Sequence, residues 1–246
     1  MFSYSSISPY FAGDGYEGAE MVYETGDDQQ DYTGAILMQD EDDATELGLA
    51  FHATAEYMAL GGYLGGRQPG EVEQPSSESI TAIVSGYNLT QSQFARYMRA
   101  LNCWVSCSVA HRAASYPVVM AEVPFCIVFP APDGVVGTQR INGEIDLLCA
   151  DERLEHVFVV DYKTGGGHDA RRSLRQKHLL QSLCYAYAVL TSGGAEDVEL
   201  DFVRVEQLGS DGEPQVISYR YDRGDLPVIE AWISSALKDS ISAVEC

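Results

Sequence analysis

Two acidic residues and a lysine lie in two short apolar segments that a turn-rich, polar segment separates. The first segment, 143–148, contains Asp146, and the second, 159–165, contains Asp161 and Lys163. This pattern predicts a β-hairpin. Side chains alternate between the two faces of a strand, so Asp161 and Lys163 are expected on one face. If the strands pair, Asp146 can lie beside Asp161 on that face.

Two carboxylates placed in this way could hold a hard divalent cation such as Mg²⁺, which prefers oxygen ligands, and Mn²⁺ is a possible substitute. The backbone carbonyl of Tyr162 could add a third ligand. A cation polarises a phosphoryl oxygen and activates a bound water, while a lysine stabilises charge that grows in the transition state. The pattern therefore indicates metal-dependent phosphodiester hydrolysis, with Asp146, Asp161 and Lys163 catalytic.

A structural alternative exists for the same residues. Two buried carboxylates need a partner, because each loses hydration and the pair repels, and Lys163 alone could be that partner. Glu144 is predicted on the face of Asp146, where it is either a further ligand or simply an exposed strand residue. We favour the exposed residue.

The surrounding pattern predicts one mixed α/β domain. Helical periodicity runs from Ala44 to Gly61, a loop follows over 65–79, and helical signals resume at Thr90, a plausible N-cap. Further helical and strand-like segments follow to the end of the chain: a short helix to about 114, strands at 118–125 and 126–129, a helix at 171–190, strands at 198–206 and 214–221, and a helix at 226–243. Residues 1–43 are acidic and poorly patterned, and they predict either an irregular arm or a segment that packs on something outside this chain.

Charge and cysteine usage narrow the functional classes. The net charge of −22 disfavours a free-standing electrostatic DNA binder, although basic residues gather between Lys163 and His178. The six cysteines form no Cys-x-x-Cys pair, so neither zinc nor an iron–sulfur cluster is expected. No apolar run is long enough to cross a bilayer and no signal peptide opens the chain, so no membrane partner and a cytoplasmic location are expected.

Three segments together resemble the RecB-type branch of the PD-(D/E)XK nucleases, and most closely the C-terminal nuclease domain of AddA-type helicase–nucleases. They are Gly-Glu-Ile-Asp-Leu-Leu, Val-Val-Asp-Tyr-Lys-Thr-Gly and Gln-Ser-Leu-Cys-Tyr. Residues 47–52 resemble the upstream helix whose histidine is a metal ligand, and 121–125 resemble the strand that precedes the core. The resemblance thus implies that His52 is a metal ligand and that Gln181 and Tyr185 position the active site and the DNA strand.

The resemblance also implies a fold and a role. The fold is a restriction-endonuclease-like core over 44–246, in which a central mixed β-sheet is flanked by helices, with an N-terminal helical extension. The role is a Mg²⁺-dependent DNA exonuclease domain that acts on single strands fed by a helicase, in double-strand-break repair and recombination, with an AddB-type partner subunit. The chain has no Walker A motif, so a motor would be supplied by another part of a longer protein.

Two other functions remain open from the sequence. The chain could be a catalytically silent module that uses the nuclease fold to bind DNA or a partner subunit, as its acidity suggests. It could also be a stand-alone or RNA-directed RecB-like nuclease, and only substrate assays would separate that possibility from a helicase-linked one.

Overall fold

The computed structural model describes residues 2–3, 41–67, 71–130, 138–164, 171–208 and 212–244. A short 3₁₀ turn at Arg223–Asp225 precedes the last helix. In chain order the strands and helices are β1 (Phe2–Ser3), α1 (Glu41–Leu60), α2 (Ser77–Val84), α3 (Gln91–Ser106), α4 (Ser108–Ser115), β2 (Val118–Pro130), β3 (Thr138–Ala150), β4 (His156–Lys163), α5 (Arg171–Thr191), β5 (Asp197–Leu208), β6 (Pro214–Asp222) and α6 (Leu226–Val244).

The strands form one mixed sheet with the order β1-β3-β4-β5-β6, and β2 pairs with β3. The β2–β3, β3–β4 and β5–β6 pairs are antiparallel, whereas β1–β3 and β4–β5 are parallel. The parallel β4–β5 pair needs a crossover connection, which α5 provides. The predicted hairpin is therefore present as β3 and β4, and the strand that ends at Lys163 lies in the middle of the sheet.

Helices cover both faces of the sheet. One core consists of residues from α5 and α6 with one sheet face, and the other consists of residues from α1 to α4 with the opposite face. We call these the α5–α6 side and the α1–α4 side. The apolar stripe predicted for α1 is buried, since Leu47, Phe51 and Met58 are each 0% exposed. The predicted fold, a helix-flanked mixed sheet, is confirmed.

Three differences from the predicted elements have local causes. The strands predicted at 118–125 and 126–129 form the single strand β2, because among the described residues β2 pairs only with β3, and an edge strand tolerates Pro124. α1 begins three residues before Ala44, because the prediction began at the apolar periodicity and a polar first turn has none. α2 was not predicted at all, because its eight residues are too few for a clear periodic pattern. Its N-cap is Ser76, whose side chain accepts a hydrogen bond from the Ser79 amide. The capping role predicted for Thr90 is confirmed by its capping box with Gln93.

Parts of the sequence-based description lie outside the described residues. Most of the predicted arm at 1–43 does, apart from β1 and the start of α1, and the division of the chain at residue 43 stays a prediction. The side chains of the basic residues at 171–177 are likewise not described. Within the described part of the chain, five cysteines are free thiols: Cys103, Cys107, Cys126, Cys149 and Cys184.

Candidate active site

Asp146 lies where the β3–β4 hairpin stops pairing. The last pair in register joins Leu147 to Val160. Asp146 immediately precedes Leu147 on β3, and its Oδ2 atom accepts a hydrogen bond at 2.7 Å from the backbone N–H of Tyr162. The carboxylate thus satisfies a backbone donor at the point where the strand ladder ends, and this fixes its position beside β4.

The environment of Asp146 disfavours its charged form. Burial raises the pKa of Asp146 well above its usual range, and the negative charge of Asp161 raises it further, whereas Lys163 lowers it. Only 12% of the Asp146 side chain is exposed. A cation bound at this carboxylate would offset both the lost hydration and the repulsion from Asp161.

Asp161 is held by residues of α5 and by its neighbour on β4. Its Oδ1 atom accepts hydrogen bonds from Gln181 Nε2 at 2.7 Å and from the Tyr185 hydroxyl at 3.0 Å. Its Oδ2 atom forms an ion pair with Lys163, which confirms that these two residues share a face. Asp161 is only 2% exposed, so these contacts determine its orientation. We call Asp161, Lys163, Gln181 and Tyr185 the Asp161 group.

Gln181 and Tyr185 also contact each other, because they are one helical turn apart on α5. Gln181 Nε2 donates to the Tyr185 hydroxyl oxygen at 2.7 Å. Burial raises the pKa of Tyr185 well above its usual range, so the hydroxyl keeps its proton and can donate it. The available acceptors are Asp161 and the backbone carbonyl of Glu144, which is 2.9 Å away.

The glycine of the first motif allows Tyr185 to be packed in place. A Cβ atom at Gly143 would overlap the ring of Phe125 on the neighbouring strand. That ring contacts Tyr185 edge-on, with 5.6 Å between ring centroids. Any side chain at Gly143 would therefore displace Phe125 and, with it, the support for Tyr185.

α1 brings His52 to the same region. Its Nδ1 atom lies 3.6 Å from Asp146 Oδ1, and its ring packs edge-on against Tyr162 at 5.7 Å. Gly48, one helical turn earlier, permits this approach, because a Cβ atom there would lie 2.8 Å from Thr164 Oγ1. Gly48 therefore lets α1 pack closely against the end of β4.

His52 is kept in the form that can bind a metal. Burial lowers the pKa of His52, although the negative charge of Asp161 acts in the opposite direction. A neutral imidazole has a free nitrogen lone pair, which the protonated form lacks. His52 keeps 30% of its side chain exposed, so the ring is accessible from solvent.

Glu122, on β2, completes this cluster, and the sequence did not predict it as a site residue. Its Oε1 atom lies 3.8 Å from His52 Nδ1. One potential ligand atom each from His52, Glu122 and Asp146 lie within 4.8 Å of one another. We call these three residues the His52 group. The available sequence signal was a single acid within the otherwise apolar segment 118–123.

Like Asp146, Glu122 favours its protonated form in the absence of a cation. Burial, followed by the hydrogen bond and the negative charge of Glu144, raises the pKa of Glu122 to about 8. Glu56, on α1, adds a further negative charge. The His52 group therefore combines an imidazole with two carboxylates that repel each other when both are ionised.

The side chains of Tyr162 and Asp161 point to opposite sides of the sheet, as strand alternation predicts. Its side chain points to the α1–α4 side, where its ring contacts Phe51 at 5.4 Å and Trp104 at 4.8 Å. Asp161 contacts α5 on the other side of the sheet. The use of the Tyr162 carbonyl as a metal ligand stays a prediction.

The donor atoms of the His52 group fit a divalent cation. Oxygen atoms of carboxylates suit Mg²⁺ and Mn²⁺, and an imidazole nitrogen is accepted by Mn²⁺ and other transition metals. Asp161 lies next to this group and influences both Asp146 and His52 electrostatically. All the predicted site side chains thus meet near the C-terminal end of β4, where β3 and β4 stop pairing, in two adjacent groups.

A mixed sheet flanked by helices is the arrangement of the restriction-endonuclease-like fold. The chain belongs to the PD-(D/E)XK nuclease superfamily, whose family model matches residues 29–245. Members of this superfamily use divalent metals. The match covers most of the chain, including both groups of the site.

Two solved structures are similar to the chain at low identity. The crystal structure of SSO0001 has 13% sequence identity and a TM-score of 0.36, and the match covers 83% of this chain and 78% of that chain. An alkaline exonuclease (LHK-Exo) from Laribacter hongkongensis has 10% identity and a TM-score of 0.26, with coverage of 84% and 95%. No curated protein matches this sequence.

None of the helices in the described part of the chain combines the length and the apolar character that a bilayer span requires.

Proposed function

We propose that this chain is a Mg²⁺-dependent exonuclease that hydrolyses phosphodiester bonds in DNA. The observation that carries the proposal is the convergence of the His52 group and the Asp161 group where β3 and β4 stop pairing. A nuclease-superfamily chain with these residue types at this position has the donors for a cation and a lysine for the reaction.

Each residue then has a defined task. His52, Asp146 and Asp161 hold the cation, and the Tyr162 carbonyl adds a ligand. When bound, the cation polarises a phosphoryl oxygen and lowers the pKa of a water molecule. Lys163 is beside the buried carboxylate of Asp161, so its ammonium group stabilises the negative charge that grows on the phosphate. Mn²⁺ is expected to substitute for Mg²⁺.

The wider role rests on the resemblance to AddA-type helicase–nucleases and on charge. A net charge of −22 gives little attraction for phosphates. Several described cations also pair with acids, as Arg96 does with Glu206 and Arg112 with Glu199. We therefore propose that a helicase feeds single strands to the site during double-strand-break repair. An AddB-type partner and a cytoplasmic location belong to the same proposal.

The test of this function is a comparison of DNA substrates with matched ends. Linear single-stranded and double-stranded DNA, covalently closed single-stranded circles and linear RNA would each be incubated with Mg²⁺, and with EDTA in its place. We expect nucleotides to be released from linear single-stranded DNA only when Mg²⁺ is present. Cleavage of closed circles at the same rate would contradict the exonuclease assignment.

A silent scaffold is the second candidate, and the strong acidity of the chain favours it. Calorimetric titration with Mn²⁺ separates it from an enzyme, because a scaffold does not require metal affinity that depends on His52. We expect wild type to bind Mn²⁺ and His52→Ala to bind it at least about tenfold more weakly. Equal binding by both proteins, without DNA cleavage, would favour the scaffold.

Tyr185 is expected to affect cleavage through Asp161. Tyr185→Phe removes the hydroxyl that donates to Asp161 and accepts from Gln181, and we expect cleavage to slow by roughly tenfold or more. Tyr221→Phe is the matched control, since Tyr221 is also buried and its hydroxyl hydrogen-bonds with Ser182, at 2.7 Å. Each variant is expected to lose about 1 kcal/mol of stability in chemical unfolding. Equal activity of the two variants would exclude this role for Tyr185.

A further inference from the structure

We infer that Glu122 is a ligand of the divalent cation, so that the metal lies between α1, β2 and β3. This inference deepens the proposed function and depends on it. The ligand set predicted from the sequence contained no residue from β2. The inference adds a ligand from a third strand, β2, to the set proposed above.

The positions of the donor atoms suit one shared cation. Glu122 Oε1 is 3.8 Å from the Nδ1 atom of His52, and Asp146 Oδ1 is 3.6 Å from that same atom. These separations are longer than direct hydrogen bonds, and ligands of one cation are separated by such distances. The Glu122 side chain is 29% exposed, so a hydrated ion can enter from solvent.

Asp161 and Glu122 differ in the partners that their carboxylate oxygens already have. Both oxygen atoms of Asp161 already have partners, since Oδ1 accepts from Gln181 and Tyr185 while Oδ2 pairs with Lys163. Glu122 Oε1 faces the imidazole of His52 instead. Of the carboxylates at the site, Glu122 thus offers an oxygen to the cation without breaking the contacts that hold Asp161.

The register between β2 and β3 places Glu122 next to Asp146. β2 and β3 pair on both sides of Glu122, through Ala121–Leu147 and Val123–Ile145, so that Glu122 is opposite Asp146. Ala121 and Leu147 pack on the α1–α4 side, whereas Val123 and Ile145 pack on the α5–α6 side. Residues two apart on a regular strand share a face, so both strands change faces at this one position.

The change of face has a cost at Glu122 itself. Its φ angle is +49°, a conformation that residues other than glycine rarely adopt. In a regular ladder Glu122 and Asp146 would pair like their neighbours. The irregularity instead lets both side chains approach His52. The fold therefore maintains a strained residue so that two carboxylates approach one imidazole.

Glu144 is the competing carboxylate. It is exposed, its register partner on β2 is Pro124, and its backbone carbonyl accepts from Tyr185. It also hydrogen-bonds with the Glu122 side chain. Its charge is close to the site, but the group of potential ligand atoms contains Glu122 and not Glu144.

The test is calorimetric titration of the full chain with Mn²⁺, and then with Mg²⁺, for wild type, Glu122→Gln, Glu144→Gln and Asp146→Asn. Glutamine keeps the length and a hydrogen-bonding oxygen but removes the charge. We expect Glu122→Gln to weaken Mn²⁺ binding by roughly 10- to 100-fold. We expect Glu144→Gln to weaken it by less than about threefold, since an exposed neighbouring charge contributes little. Melting of each variant in EDTA shows that it is folded.

The outcomes are distinguishable. If Glu122→Gln binds Mn²⁺ as wild type does while Asp146→Asn does not, the inference is overturned and the metal-dependent function stands. If Glu144→Gln binds Mn²⁺ more weakly than Glu122→Gln does, the ligand is Glu144 on β3 and the assignment of Glu122 on β2 is overturned. If wild type binds neither ion, the inference and the proposed function fail together.

Discussion

Replacing Lys163 by methionine is expected to reduce the rate of DNA cleavage by about 10³-fold or more at saturating Mg²⁺. The ammonium group of Lys163 is the cation that pairs with Asp161 at the end of β4. Methionine keeps most of the side-chain volume but cannot stabilise negative charge on a phosphate. Single-turnover cleavage of end-labelled single-stranded DNA measures the chemical step directly.

The control must separate lost chemistry from lost structure. Asp161 is almost fully buried, so removal of its partner is expected to destabilise the protein. Lys163→Arg keeps the charge and the ion pair, and because a guanidinium has a different shape, it is expected to fold normally and still cleave slowly. Arg112→Met removes a different ion pair, the one with Glu199. Glu199 is near the N-terminal end of β5, whereas Lys163 is in register with Arg204, further along that strand. We expect Arg112→Met to cleave like wild type.

A folded Lys163→Met protein with wild-type activity would assign Lys163 to structure alone. That result would favour the structural ion pair that the sequence left open. Loss of cleavage with retained Mn²⁺ binding would instead assign the lysine to the reaction, since a residue that only supported the metal ligands would alter binding as well.

The local part of the site could be predicted because strand alternation acts over two or three residues. Asp161 and Lys163 share a face, and Tyr162 points away, for that reason alone. The contacts of Gln181 and Tyr185 with Asp161 needed the resemblance to a known family. Nothing in the spacing of α5 shows which strand its polar residues will meet.

Glu122 could not be predicted because its position depends on three non-local features. They are the register between β2 and β3, the change of face at one residue pair, and the backbone conformation with positive φ. A sequence pattern read with a period of two places Glu122 on the face opposite Val123 but does not show what it approaches. The missed helix α2 is a simpler case, since eight residues carry too little periodic signal.

The two groups of the site differ in how the protein treats negative charge. In the Asp161 group, a lysine and two hydrogen-bond donors surround one carboxylate. In the His52 group, two carboxylates face one imidazole, and burial raises the pKa of both Glu122 and Asp146. The first group already contains a positive charge, whereas the second requires a proton or a cation.

Replacing Asp146 by asparagine is expected to abolish Mn²⁺ binding and cleavage, and yet to raise the melting temperature of the metal-free protein at pH 8. Asparagine keeps an oxygen that can accept from the Tyr162 amide, but it carries no charge that burial disfavours. Asp146→Ala is the matched comparison, since it also removes the charge but leaves that amide without its acceptor. We expect Asp146→Ala to melt below Asp146→Asn at every pH.

The pH dependence gives the sign of this effect. In the folded protein the pKa of Asp146 is raised, and that of Glu122 is raised to about 8, so both bind protons that the unfolded chain has released. The contribution of these two carboxyl groups to stability in EDTA is therefore greatest at low pH and is lost as the pH rises through these folded values. Melting curves between about pH 5 and pH 9 should show a smaller loss for Asp146→Asn than for wild type. An equal loss in both proteins, with a lower melting temperature for Asp146→Asn at pH 8, would show that the Asp146 carboxylate does not oppose folding. Saturating Mn²⁺ should stabilise only wild type, since ligands that bind the folded state alone raise its melting temperature.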